Sequence, residues 1–98
     1  MTKPIHPGKV IRNEFINGIG ISITDLSSAI GVSRKCVSEL INEKFGISTE
    51  MAFRLGKALD TDPEYWINLQ QRYDIEKTKY SIDLRNVKEI IRRIRIEK

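Results

Sequence analysis

The chain offers one histidine and one cysteine for catalytic chemistry. His6 sits between Pro4 and Pro7, in what looks like the lead-in to a first helix, and is expected to be structural or solvated. Cys36 follows Arg34 and Lys35, which would favour a thiolate near a helix start, but no histidine base lies within reach along the sequence. A single cysteine forms neither an internal disulfide nor a cysteine zinc site. No His-Cys-Asp-Glu group has ligand spacing, and Gly18 and Gly20 lack the third glycine and preceding strand of a dinucleotide site. The expectation is a protein that is no enzyme, with no catalytic residues, metal or cofactor.

A different chemistry is written in short polar side chains. Ser33, Arg34, Lys35, Ser38, Glu39 and Asn42 fall on the outward face of one short helix. Two cations among small hydrogen-bonding groups can enter a major groove and reach base edges and phosphates. The surrounding residues fit the element needed to present them. Leu26, Ile30, Val32, Val37 and Leu40 are apolar where two crossed helices must touch, and Ser27 is small where they approach closely. Gly31 supplies the backbone angles of a tight turn. An ordinary helical hairpin with a solvated face would share the charges. The agreement of small residue, glycine, apolar spacing and serine cap points instead to a DNA-binding helix-turn-helix over residues 22–44. In that reading the recognition helix begins at Arg34, with Arg34, Lys35 and Ser38 toward double-stranded DNA and Lys44 on a phosphate.

The rest of the chain reads as helices with clear punctuation. Pro7 and Gly8 precede Val10, Ile11, Glu14 and Phe15 at 3-to-4 spacing, and Asn17-Gly18 signals the end of that helix. Ser22 stands three residues before Asp25, a variant capping box, and opens a helix with Ile23, Leu26 and Ile30 on one side. Ser33 caps the third helix, and Asn42 to Gly46 forms a loop. Ser48 caps a fourth through Leu59, whose buried side is expected to be Ala52, Leu55, Ala58 and Leu59. Asp62-Pro63 starts a fifth, with Tyr65, Trp66, Leu69 and Tyr73 as a core stripe. The fold class is all-α, a five-helix bundle.

Length and charge set the bounds. Ninety-eight residues suit one small domain. Apolar runs of two or three residues leave no transmembrane helix, and the N-terminus lacks a secretory signal's apolar stretch. The expected location is cytoplasmic, in a reducing compartment, with no membrane partner. Residues 1–71 hold equal numbers of basic and acidic side chains, so the net charge of +4 comes entirely from residues 72–98. Global charge therefore points only weakly to a polyanion.

The motifs carry a resemblance. The helix-turn-helix is similar to that of the Cro/phage-repressor (XRE) superfamily, with a lambda-repressor-like bundle as the implied fold. From His6 to about Glu76 the chain resembles the HigA-type antitoxins, also called virulence-associated protein I. His6-Pro7-Gly8, Gly31-Val32-Ser33-Arg34, Gly46-Ile47-Ser48 and Met51-Ala52-Phe53-Arg54-Leu55 carry it, together with the specific run from Pro63 to Asp74. The resemblance implies a homodimeric antitoxin that binds an operator, represses its own operon and neutralises a HigB-like mRNA-cleaving toxin. It also adds Ser22 and Thr24, at the start of helix two, to the DNA-facing set. Departures are present. Asn42-Glu43-Lys44 replaces the usual Asn-Gly-Lys, and Ile23, Thr24 and Asp25 replace Gln, Arg and Glu. Glu39 stands where a cation or amide is usual, so it must face a cytosine amino group, pair with a cation or lie outside the contact.

Residues 1–80 are thus expected as the DNA-binding domain, and 81–98 as a basic amphipathic helix. In the latter, Leu84, Val87, Ile91 and Ile94 form a stripe, with Arg85, Lys88, Arg92, Arg93 and Arg95 around it. Docking on the bundle or across a dimer, contact with toxin or phosphates, and membrane-surface binding all compete for it. Other readings of the whole are a stand-alone XRE-family regulator, or a protein-interaction module with a polyanion-binding tail.

Overall fold

Each helix opens on a side chain that satisfies one of its unpaired first-turn amides. The structure, a computed structural model, describes residues 3–91. The imidazole Nδ1 of His6 accepts from the Gly8 amide at 2.9 Å, starting α1, Pro7–Val10. Ser22, Ser33 and Ser48 accept from Asp25, Cys36 and Met51, starting α2 (Ile23–Ile30), α3 (Arg34–Ile41) and α4 (Thr49–Leu59). Asp62 accepts from Glu64, and Pro63 leads α5, Pro63–Ser81. All five starts lie where capping chemistry places them, and no strand forms among the described residues.

The first helix does not stop at Asn17-Gly18. Beyond Val10 it runs on as a π-wound stretch, Ile11–Ile19, and Gly20 closes it in the left-handed conformation at φ 95°. The amide of Ile21 returns to the Phe15 carbonyl, so the closure falls two residues later than the sequence signal.

The core is one cluster drawn from all five helices: Ile11, Leu26, Val37, Leu40, Leu55 and Trp66 are among its fully buried members. Trp66 satisfies its only polar atom, donating from Nε1 to Thr61 Oγ1 at 2.7 Å. Two expected core faces need correction. On α4 the buried residues are Ala52, Leu55 and Gly56, whereas Ala58 is exposed, because a position six residues after Ala52 lies well off the buried face. On α5 Trp66 is buried and Leu69 and Tyr73 are half-buried, but Tyr65 is exposed and meets the Trp66 ring only edge-on.

The tail also differs from expectation. Residues 82–90 form no helix; they carry a turn at Arg85-Asn86. The Asp83 carboxylate accepts from the Arg85 amide and guanidinium, a local alternative to helix formation. Leu84 and Val87 are 58% and 67% exposed. A short helix with no surface under its apolar stripe is marginal in water. Ile94, Arg92, Arg93 and Arg95 lie outside the described residues. The projecting end of α5 and this segment make the molecule long, 59 × 23 × 23 Å.

Gly8 fixes how the first helix crosses the third. A Cβ there would sit on the Leu40 carbonyl oxygen, so the two backbones touch with nothing between them. Gly8→Ala is expected to lower unfolding stability by about 1–3 kcal/mol. Chemical denaturation checks this, and an unchanged midpoint would show that the crossing tolerates a methyl group.

Candidate nucleic-acid interface

The helix-turn-helix is held at its turn by three contacts. Gly31 takes φ 73° and ends α2, and the Val32 amide reaches back to the Ser27 carbonyl. Ser27 is buried and donates its hydroxyl to the Thr24 carbonyl, so a small side chain fits without leaving a polar group unpaired. From α4, Arg54 donates to the Ile30 carbonyl at 2.7 Å while pairing with Glu50. That guanidinium covers the last carbonyl of α2 and ties the turn to the bundle.

With Val37, Leu40 and Ile41 buried, α3 turns its other side outward. Ser33, Arg34 and Lys35 are exposed, and Ser38 and Glu39 are half-exposed beside them. Ser22, Thr24, Asn42 and Lys44 are exposed as well. The Ser22 and Ser33 oxygens already accept from helix amides, which leaves each hydroxyl proton to donate outward. Among the described residues the ion pairs are Arg54–Glu50 and Arg85–Asp83. Among those residues, Arg34, Lys35 and Lys44 are thus not held by carboxylates, and Glu39 takes no cation as its partner.

Asn42 has a role that its place in the sequence does not reveal. Its Nδ2 donates to the Ser38 carbonyl at 2.9 Å, and its Oδ1 accepts from Arg12 at 2.6 Å. The side chain is therefore engaged within the protein. Arg12, a residue of the first helix that the motif does not include, stands beside the end of α3. No signal in the sequence points to it: Arg12 shares a helix face with Gly8, but that Gly8 lies on Leu40 is a feature of the folded chain.

The loop after α3 is anchored from below. The Lys44 amide returns to the Glu39 carbonyl, and the Ile47 amide donates to Gln70 Oε1 at 2.7 Å. Gln70 donates in turn to Asp74, and Gly46 packs against the Gln70 amide. His6 lies behind the loop, buried and edge-on to Tyr73 with ring centroids 4.8 Å apart. Burial lowers its pKa, and Lys77 adds to that effect. The Glu43 and Asp74 carboxylates and a hydrogen bond with the Phe45 backbone oppose it. The neutral ring keeps Nδ1 free to cap α1. Among the described residues no group of three or more His, Cys, Asp or Glu is placed to hold a metal ion. No described helix is long and apolar enough to cross a membrane.

Fold and surface together define a helix-turn-helix protein. A family model described as helix-turn-helix matches residues 14–66. Virulence-associated protein A' of Dichelobacter nodosus is 45% identical over 78 residues, 79% of this chain and 67% of that protein. Antitoxin HigA-1 of Vibrio cholerae is 35% identical over 77 residues, 79% of this chain and 72% of that one. The solved structure of Pseudomonas aeruginosa antitoxin HigA with higBA promoter matches at TM-score 0.70 and 36% identity, covering 82% of this chain and 96% of that one. The chain belongs to the helix-turn-helix family, among its HigA-type antitoxins.

The loop contains one residue under backbone strain that bears on the interface. Glu43 takes φ 60°, the left-handed conformation that glycine adopts at no steric cost. Glu43→Gly is expected to raise stability by about 0.5–1 kcal/mol, the relieved strain exceeding the added chain entropy. Thermal and denaturant melts read this directly. A loss of stability would mean that the Glu43 side chain contributes more than its backbone costs.

Proposed function

We propose that this protein is the DNA-binding antitoxin of a toxin–antitoxin pair. It binds its operator in the cytoplasm as a homodimer, represses its own operon and neutralises a HigB-like toxin encoded beside it. The observation that carries the reading is the exposed Arg34-Lys35 pair at the start of α3. These two cations, unclaimed by carboxylates among the described residues, are presented by a turn bonded to both α2 and α4. The first residues of a recognition helix are the ones that meet base edges, and arginine reads guanine through two parallel hydrogen bonds. A promoter-bound HigA among the solved relatives supports the DNA assignment.

One eight-residue recognition helix reads only a few base pairs, and a genome holds many copies of so short a site. Two-fold pairing doubles the site and sets two such helices about 34 Å apart on one face of the duplex. An inverted repeat is the operator that such a dimer fits. Exposed apolar residues at and beyond the end of α5, among them Ile75, Ile82, Leu84 and Val87, supply its pairing surface.

Binding to a duplex taken from upstream of the gene tests the placement. Arg34→Ala should cost about 1–3 kcal/mol on that duplex and relax base preference at one position of each half-site. Lys44→Ala should weaken operator and scrambled duplex by a common factor. Unchanged operator affinity in the Arg34→Ala, Lys35→Ala double variant would reject this face as the reading surface.

A further inference from the structure

We propose that Arg12 and Asn42 form a phosphate-binding point for the DNA backbone at the C-terminal end of α3. This inference rests on the operator-binding reading and extends the contact surface to the first helix. Gly8 presses the start of that helix onto the Leu40 carbonyl, and Arg12 follows four residues later on the same face. The guanidinium consequently arrives at the last turn of the recognition helix. There it donates to Asn42 Oδ1 at 2.6 Å, while Asn42 Nδ2 is fixed on the Ser38 carbonyl at 2.9 Å. A cation at a helix C-terminus is also favoured by the partial negative charge of the last carbonyls.

That chain of contacts holds the guanidinium in place but does not neutralise it. The contact with Asn42 occupies one donor of the five that arginine carries. Arg12 belongs to neither ion pair formed among the described residues, and it is exposed. A guanidinium with free donors in a fixed fork matches a phosphate diester, which accepts through two oxygens. Asn42 caps the exposed end of α3, so a duplex that meets Asn42 comes within reach of Arg12. Asn42 then acts chiefly as a positioning residue that aims Arg12. The site lies at the far end of α3 from Arg34, so its contribution is affinity and register, without base preference.

The test uses the full chain and two duplexes, the upstream operator and a scrambled sequence, across a salt series. Arg12→Gln removes the charge and, being two bonds shorter, also gives up the Asn42 contact; the salt slope separates the two roles, because a purely structural Arg12 would leave that slope unchanged. The expected result is a loss of roughly tenfold on both duplexes alike, with the salt slope smaller by about one phosphate contact. Asn42→Ala should cause part of the same loss, and adding it to Arg12→Gln should cost nothing more. An unchanged salt slope in Arg12→Gln overturns the proposal, and so do additive losses in the double variant. Arg34→Ala, measured alongside, separates the two levels. If it weakens operator binding while Arg12→Gln does not, only the phosphate site fails; if neither matters, the operator-binding reading fails with it.

Discussion

The contact between the backbone of Gly8 and the Leu40 carbonyl sets the geometry on which the recognition surface depends. It lets the first helix lie directly across the end of α3 and brings Arg12 to Asn42. It also places His6 behind the loop that follows α3. There the imidazole caps α1, packs on Tyr73 of α5 and lies within electrostatic reach of Glu43. One small residue thus ties the start of the chain to both the loop and the fifth helix.

From the other side, α4 fixes the turn of the helix-turn-helix and α5 the loop after it, each by a side-chain bond to backbone. Arg54 holds the carbonyl end of α2, and Gln70 holds the Ile47 amide after α3. Trp66 fills the centre beneath them. The run from Pro63 to Asp74 therefore has a structural logic. Proline starts the helix, tryptophan packs the core, and glutamine anchors a loop while bonded to the aspartate four residues on. Held in this way, the short α3 keeps its cations outward, with no carboxylate partner among the described residues.

Much of this was legible in residue types and spacing. Caps at Ser22, Ser33, Ser48 and Asp62, the turn at Gly31 and the buried face of α3 follow from local chemistry, and local chemistry is what a sequence displays. The end of the first helix was not, because π winding carries it past Gly18 to Gly20. Over residues 82–90 the expected helix does not form, for a related reason. Its apolar period is real, but a period forms a helix only against a surface, and Leu84 and Val87 have none among the described residues. The Arg12–Asn42 contact spans thirty positions and depends on how two helices cross. No short motif contains it. The place of Asn42 on the outward face is visible in the sequence; its partner Arg12 is not.

The central claim is that α3 reads a base sequence rather than merely meeting a polyanion. The most direct measurement is the affinity of the full chain for its upstream duplex and for a scrambled duplex as salt rises. Both affinities should fall as counterions compete, but the preference for the upstream duplex should persist across the series. If the two curves instead run together at every salt concentration, the surface is a general polyanion contact and the operator-reading account is wrong.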